Sequence, residues 1–220
     1  MKKILFFLFL SIVFSEKKYN YKIKFFGIGV ANCNVVYSDT MLYDKHFKKI
    51  EYKVVTNDFI NNFFKVDNKY VIISDENYNT VYFKKDTFQP KLKNQIETEY
   101  LKGSLRYKNS NIIINKNNIN IFSVLYMIYN QDFDALNKVT IIEREGKYYN
   151  FNSKIDKDRI DIFIDEIDEN NDGLIKHTDI FTWGLFLDKT KKTIIYNHNK
   201  KHIEKCIFKK GITTISANLE

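Results

Sequence analysis

The chain has 220 residues, a formal net charge of +8, 44% apolar and 16% aromatic residues, one Pro, seven Gly and two Cys. That length suits one domain, with a core large enough to fold without a metal or a disulfide framework. The lysines are dispersed beside Asn and Ile, which reads as solvated faces and not as a nucleic-acid surface, and the scarcity of Ala among many Ile, Val, Phe and Tyr favours strands over helices.

Residues 1–15 read MKKILFFLFLSIVFS. Lys2 and Lys3 form a basic start, Ile4 to Phe14 an apolar run broken only by Ser11, and Ser15 a small residue before the polar Glu16-Lys17-Lys18. This is the layout of a secretory signal peptide. The run is about half the ~20 residues that span a bilayer as a helix, so it is expected to be removed and not to anchor. No later run reaches spanning length, and neither cysteine directly follows the segment, where a lipid-modified cysteine would stand. The expectation is a signal peptide (1–15) and a single β-rich domain (16–220), periplasmic or otherwise extracytoplasmic. Its basic surface then suits anionic lipid headgroups or envelope polysaccharide, with no nucleic acid and no transmembrane span in the mature chain.

From Tyr21 to Tyr37 the odd positions read Tyr, Ile, Phe, Gly, Gly, Ala, Cys, Val, Tyr, against Lys22, Lys24, Asn32 and Asn34 at even ones. This period of two predicts one long strand, with Gly27 and Gly29 marking a bend or a close backbone approach. Further strands are predicted at Lys49–Thr56, Tyr70–Ser74, Asn79–Lys84, Gln95–Tyr100 and Asn111–Ile114. Asp67-Asn68, Asp75-Glu76-Asn77, Lys85-Asp86 and Lys108-Asn109 read as the turns between them. Phe59, Ile60, Phe63 and Phe64 fit either a helical turn or a bulged strand. Ile121, Val124, Leu125 and Ile128 share one face of a predicted helix over 119–129. Strands resume at Lys138–Arg144 and Lys147–Phe151, joined by a tight Glu145-Gly146 turn, then at Ile160–Ile167. Thr182–Leu187, Lys192–Asn197, Ile203–Lys209 and, after Gly211, Ile212–Leu219 are read as the closing strands. The fold class is mainly β: one antiparallel meandering sheet forming an open barrel or sandwich, with one or two short helices and an N-terminal signal helix.

The order of these features resembles the exported bacterial family called domain of unknown function 3108. The matching residues are Tyr21, Ile23, Phe25, Gly27, Ile28 and Gly29 in the first strand, and Ser123, Leu125 and Tyr126 in the middle helix, where the family's Asp and Arg are absent. Phe181-Thr182-Trp183 and the strands of Ile203–Leu219 complete the resemblance. It implies an antiparallel β-fold acting outside the cytoplasm, brings no activity with it, and carries no catalytic signature.

The sharpest local pattern runs from Asp168 to Asp179. It follows a calcium loop in which Asp168, Asn170 and Asp172 offer side-chain oxygens, Gly173 the sharp turn, Leu174 a backbone carbonyl and Asp179 the closing carboxylate. The competing reading is an Asp/Asn/Gly-rich hairpin turn, which the general abundance of Asp and Asn and the Lys176 charge both favour. Cys33 and Cys206 are either a disulfide, permitted outside the cytoplasm, or two separately buried thiols. His198, His202 and Cys206 would share a face only on a helix, and their surroundings read as strand, turn, strand. There is no nucleophile elbow and no phosphate-cradling glycine loop, and the carboxylates of Asp132, Asp134, Asp165 and Glu166 read as solvated turns, so no catalytic residue is assigned. Most aromatics read as core, with a minority left to line a mouth or groove for an apolar or sugar ligand, where Gly27, Gly29 and Ala31 leave room. The function this supports is an exported, non-enzymatic β-domain binding an envelope lipid, polysaccharide or partner protein, with lipid favoured. The alternative is a calcium-stabilised structural or adhesion module built on the 168–179 loop.

Overall fold

The computed structural model describes residues 16–42, 44–101, 104–167, 173–174 and 179–220. The signal segment, and with it the signal helix, lies outside them. The first half of the chain supplies β1 (Lys17–Phe25), β2 (Ile28–Leu42), β3 (Lys45–Thr56), a helical turn α1 (Asp58–Asn61), β4 (Asp67–Ser74), β5 (Thr80–Gln89), β6 (Leu92–Leu101), β7 (Ser104–Tyr107) and β8 (Ile113–Ile114). Two helices, α2 (Ile121–Asn130) and α3 (Phe133–Lys138), then lead to β9 (Ile141–Arg144), β10 (Lys147–Asp156) and β11 (Arg159–Glu166). After α4 (Ile180–Phe186) come β12 (Lys191–Asn197), β13 (His202–Lys210) and β14 (Thr213–Leu219).

All fourteen strands form one antiparallel sheet in the order β8-β7-β6-β5-β4-β3-β2-β1-β14-β13-β12-β11-β10-β9. The expected open antiparallel meander is therefore the observed architecture. The N-terminal and C-terminal strands, β1 and β14, pair in the middle of this order, with Tyr21 opposite Leu219 and Phe25 opposite Ile215. The edges are β8 and β9, which no ladder joins. They are linked instead by an isolated bridge between Asn120 and Glu143 and by the Tyr107 hydroxyl, which donates to Glu143 across the seam at 2.7 Å.

The stretch predicted as one strand from Tyr21 to Tyr37 is a hairpin. Phe26 and Gly27 have φ of 49° and 82°, the mirror-image turn that matches strand twist. A two-residue turn alone would pair odd positions with even ones, as it does at Phe25–Ile28. A bulge restores the parity, so that Ile23 faces Ala31 and Tyr21 faces Cys33. The odd residues therefore point inward from Tyr19 to Ile23 and again from Ala31 to Tyr37, whereas Gly29, before the bulge, faces outward toward Lys22.

The predicted middle helix is α2, capped by the Asn120 carboxamide, which accepts from Ser123 N at 2.9 Å. Ile121 to Tyr129 are all buried. A helix apolar on every side belongs inside a core, and α2 fills the concave face of the sheet. Phe122 packs against Tyr52 and Tyr70, while Tyr126 and Tyr129 pack against Tyr37. Four helices are seen among the described residues, where one or two were expected. The Phe59–Phe64 cluster belongs to the helical turn α1. The segment predicted as the strand Thr182–Leu187 is the helix α4, because the Asp179 carboxylate accepts from Thr182 N and caps it at 2.9 Å. Lys85-Asp86 is not a turn but the middle of β5.

Candidate functional site

The concave face holds two unlike regions, and α4 stands between them. Phe181 and Gly184 of α4 line an apolar cavity. Asp179, Thr182 and Phe186 belong to a buried ionic cluster on its other side.

The cavity has a volume of about 420 Å³, within the range of small-molecule sites. Its walls come from Ile23 and Phe25 of β1, Val30 and Ala31 of β2, and Val54 and Thr56 of β3. Ile60 and Phe64 close it below, and Phe208, Ile215 and Ala217 of the β13–β14 hairpin complete it. Small residues at Ala31, Gly184 and Ala217 are what leave the space open. Thr56 is the one polar side chain in the wall, and its hydroxyl is already used. It donates to Asn61 Oδ1 at 2.5 Å and accepts from Val66 N at 2.8 Å. A ligand here meets hydrocarbon and no free polar side chain, so the chemistry the cavity offers is burial of apolar surface.

The ionic cluster centres on Lys85, 1% exposed in mid-β5. Its Nζ lies 2.6 Å from Glu145 Oε1 and 3.3 Å from Asp179 Oδ2. The Asp179 carboxylate also accepts from the Tyr70 hydroxyl at 2.5 Å and the Thr182 hydroxyl at 2.7 Å. Burial pushes the Asp179 carboxyl up, but Lys85, Thr182 and Tyr70 outweigh it and hold the group below its ordinary value. Arg144 donates to the Thr182 hydroxyl at 3.0 Å, and its guanidinium stands 4.5 Å from the Phe186 ring centroid. Glu143 behaves oppositely. Burial raises its carboxyl to about 7, against hydrogen bonds from Gly146 N and the Tyr107 hydroxyl, with Glu145 adding repulsion.

Of the residues the sequence proposed for calcium, Asp168, Asn170 and Asp172 lie outside the described residues. Asp179 is committed to the α4 cap and to Lys85. Leu174 N donates to the Glu145 carbonyl at 2.7 Å, and a Cβ on Gly173 would come within 2.5 Å of that same oxygen. Gly173 and Leu174 are thus docked on the β9–β10 turn. No group of three His, Cys, Asp or Glu side chains among the described residues is placed to hold a metal. His198 lies exposed, 3.1 Å from the Lys157 carbonyl, while Cys206 faces inward, so the His198–His202–Cys206 spacing converges on nothing.

The Cys33–Cys206 disulfide is not formed. Both are free thiols. They stand on β2 and β13, with β1 and β14 between, a separation of roughly 14 Å at the usual strand spacing, twice what a disulfide spans. Burial raises both thiols, Cys206 to about 12.

Of Gly27, Gly29 and Ala31, the small residues expected to leave room for a ligand, only Ala31 lines the cavity. Phe181 and Gly184 escaped because their segment was read as strand. Lys85 escaped because it was read as a turn, although Phe83, Lys85 and Thr87 alternate with polar neighbours.

No known protein family matches the chain, and no curated protein does. A similar solved structure is that of a beta-barrel-like protein of domain of unknown function DUF1849 from Brucella abortus, at 8% identity and a TM-score of 0.47, over 92% of this chain and 95% of that one.

Proposed function

We propose that this domain is a non-enzymatic binding protein that takes the acyl chain of an envelope lipid into the cavity between the β1–β2 hairpin, α1 and α4, and that it does so outside the cytoplasm. The observation that carries this reading is the cavity wall. Around about 420 Å³ it presents one polar side chain, Thr56, whose hydrogen bonds are already made. A sugar would bring hydroxyls that find no partner there, at a cost of roughly 1–3 kcal/mol for each one left unsatisfied. An acyl chain brings none. The signal-like residues 1–15 and the resemblance to an exported family support the compartment, and a sequence without a nucleophile elbow supports a binding role over catalysis.

The test is titration of delipidated protein with a fluorescent long-chain fatty acid, in the natural chain and in Ala217→Phe and Gly184→Leu, each of which fills the cavity. Loss of binding in both filled variants, with unfolding midpoints at or above that of the natural chain, is the expected result. Equal binding by all three proteins, or no binding by the natural chain, overturns the reading.

A further inference from the structure

The mouth of the cavity is surrounded by apolar side chains that no other described residue covers. Phe25 and Phe64 both line the cavity and reach solvent, at 41% and 37% exposure, so the opening lies between them. Around it stand Phe26 and Ile28 at the tip of the β1–β2 hairpin, Phe59 and Phe63 on and after α1, and Ile212 at the tip of the β13–β14 hairpin. Their exposures run from 51% for Phe26 to 89% for Ile212.

These side chains share one end of the sheet by construction. Phe25 pairs with Ile28 on one side and Ile215 on the other, and Phe26 N donates to the Thr214 carbonyl at 3.0 Å, which sets the two hairpin tips side by side. Asn57, the cap of α1, donates through its backbone to the Val30 carbonyl and through its side chain to that of Gly29, which fastens α1 beside them. Phe25 and Phe26 pack edge to face at 4.7 Å, as do Phe59 and Phe63 at 5.9 Å, so the rim is arranged in ordered pairs.

Charge at this end is net positive. Lys24 precedes the first tip, Lys65 follows the α1 segment, and Lys209 and Lys210 lead into the second tip, against the carboxylates of Asp58 and Asp67. Apolar tips flanked by lysines suit the interface of an anionic bilayer, where the rings enter the acyl boundary and the ammonium groups stay with the phosphates.

We infer that this end of the domain docks on an anionic membrane surface, with the aromatic rim inserted and the cavity mouth opening directly onto the acyl chains. This deepens the acyl-chain reading and rests on it for what passes through the mouth. The docking itself depends only on the rim and the lysines. The exposed Phe and Ile side chains would otherwise be an aggregation hazard on a soluble surface.

The experiment is flotation of the full chain with vesicles of phosphatidylcholine, and of phosphatidylcholine with phosphatidylglycerol. The natural chain is compared with Phe26→Ser/Phe63→Ser/Ile212→Ser and with Lys209→Gln/Lys210→Gln. None of the three substituted rim residues lines the cavity, and residues 1–15 are common to all proteins, so any binding they cause persists in every variant. The expected result is flotation with the anionic vesicles, at least about tenfold weaker in the rim variant and roughly fivefold weaker for each lysine removed, with fatty-acid binding by the rim variant unchanged. Flotation of Ala217→Phe at the natural level supports docking even if the acyl-chain reading fails. Equal flotation of the natural chain and the rim variant overturns the inference, as does a natural-chain dimer in solution that the rim variant converts to a monomer.

Discussion

The two sides of α4 solve the same packing problem in opposite ways. On one side the sheet interior is filled with charge, and Lys85, Glu145, Asp179, Tyr70 and Thr182 satisfy one another at 2.5–3.3 Å. On the other side it is left open and apolar, with its one hydroxyl already engaged. A buried ionic cluster of this kind cannot rearrange without exposing an uncompensated charge, so it fixes where α4 sits. An apolar cavity has no such commitments and accepts any shape that fills it. Rigidity on the first side is what keeps space available on the second, because Phe181 and Gly184 are held in the cavity wall by a helix whose cap and first turn are bonded to β4, β5 and Arg144.

The contrast is broken most severely at Lys85. Lys85→Met leaves the carboxylates of Glu145 and Asp179 buried without their cation, and a loss of about 3–5 kcal/mol in urea unfolding is expected. Adding Asp179→Asn and Glu145→Gln to Lys85→Met recovers most of it. If the single variant costs under about 1 kcal/mol, the cluster does not hold α4 in place.

Next in size is the pH dependence of the seam. Glu143 keeps its proton in the folded state to about pH 7, whereas the unfolded chain releases it near 4.5. Folded stability therefore falls as pH rises through that window, by roughly 3 kcal/mol at most. Glu143→Gln keeps the acceptor for Tyr107 and Gly146 and removes the fall. Asp179 has the opposite sign, since its carboxyl is held below 3.8, and its contribution is lost only in acid. Unfolding midpoints from pH 4 to 9 in the natural chain and in Glu143→Gln check this, and parallel curves would refute it.

The smallest effect sharpens the cavity side. A Cβ on Gly184 meets the Phe208 ring at 3.6 Å, ordinary contact, and the backbone there is not left-handed. Gly184→Ala is therefore expected to raise stability by about 0.5–1 kcal/mol while leaving room for an acyl chain, unlike Gly184→Leu. A destabilised Gly184→Ala would mean that the wall of α4 is already full.

The fold was legible wherever alternation and turns act locally. The Glu145-Gly146 turn, the closing hairpins and α2 follow from short patterns, and the inward face of the first hairpin follows from odd positions whose phase the bulge preserves. The misreadings share a cause. Thr182–Leu187 has strand-like residues, but the Asp179 cap and its tertiary partners on β4 and β5 impose a helix. Lys85 is polar by type and interior by position, and only the carboxylates brought to it from β9–β10 and α4 make that tolerable. Neither the cavity nor the ionic cluster could be seen in one dimension, since each joins residues far apart in the chain, Ile23 and Ala217 in the cavity and Tyr70 and Asp179 in the cluster.

The pairing of β1 with β14 sets an order of events in time. As the chain leaves the ribosome, β1 to β8 can zip as consecutive hairpins, each within a few residues of the last. The free edge of β1 must wait for Thr213–Leu219, nearly two hundred residues downstream. Until then an unpaired strand flanked by Phe25 and Phe26 is open to any other chain. Completion of the sheet is thus a late, long-range step of high contact order.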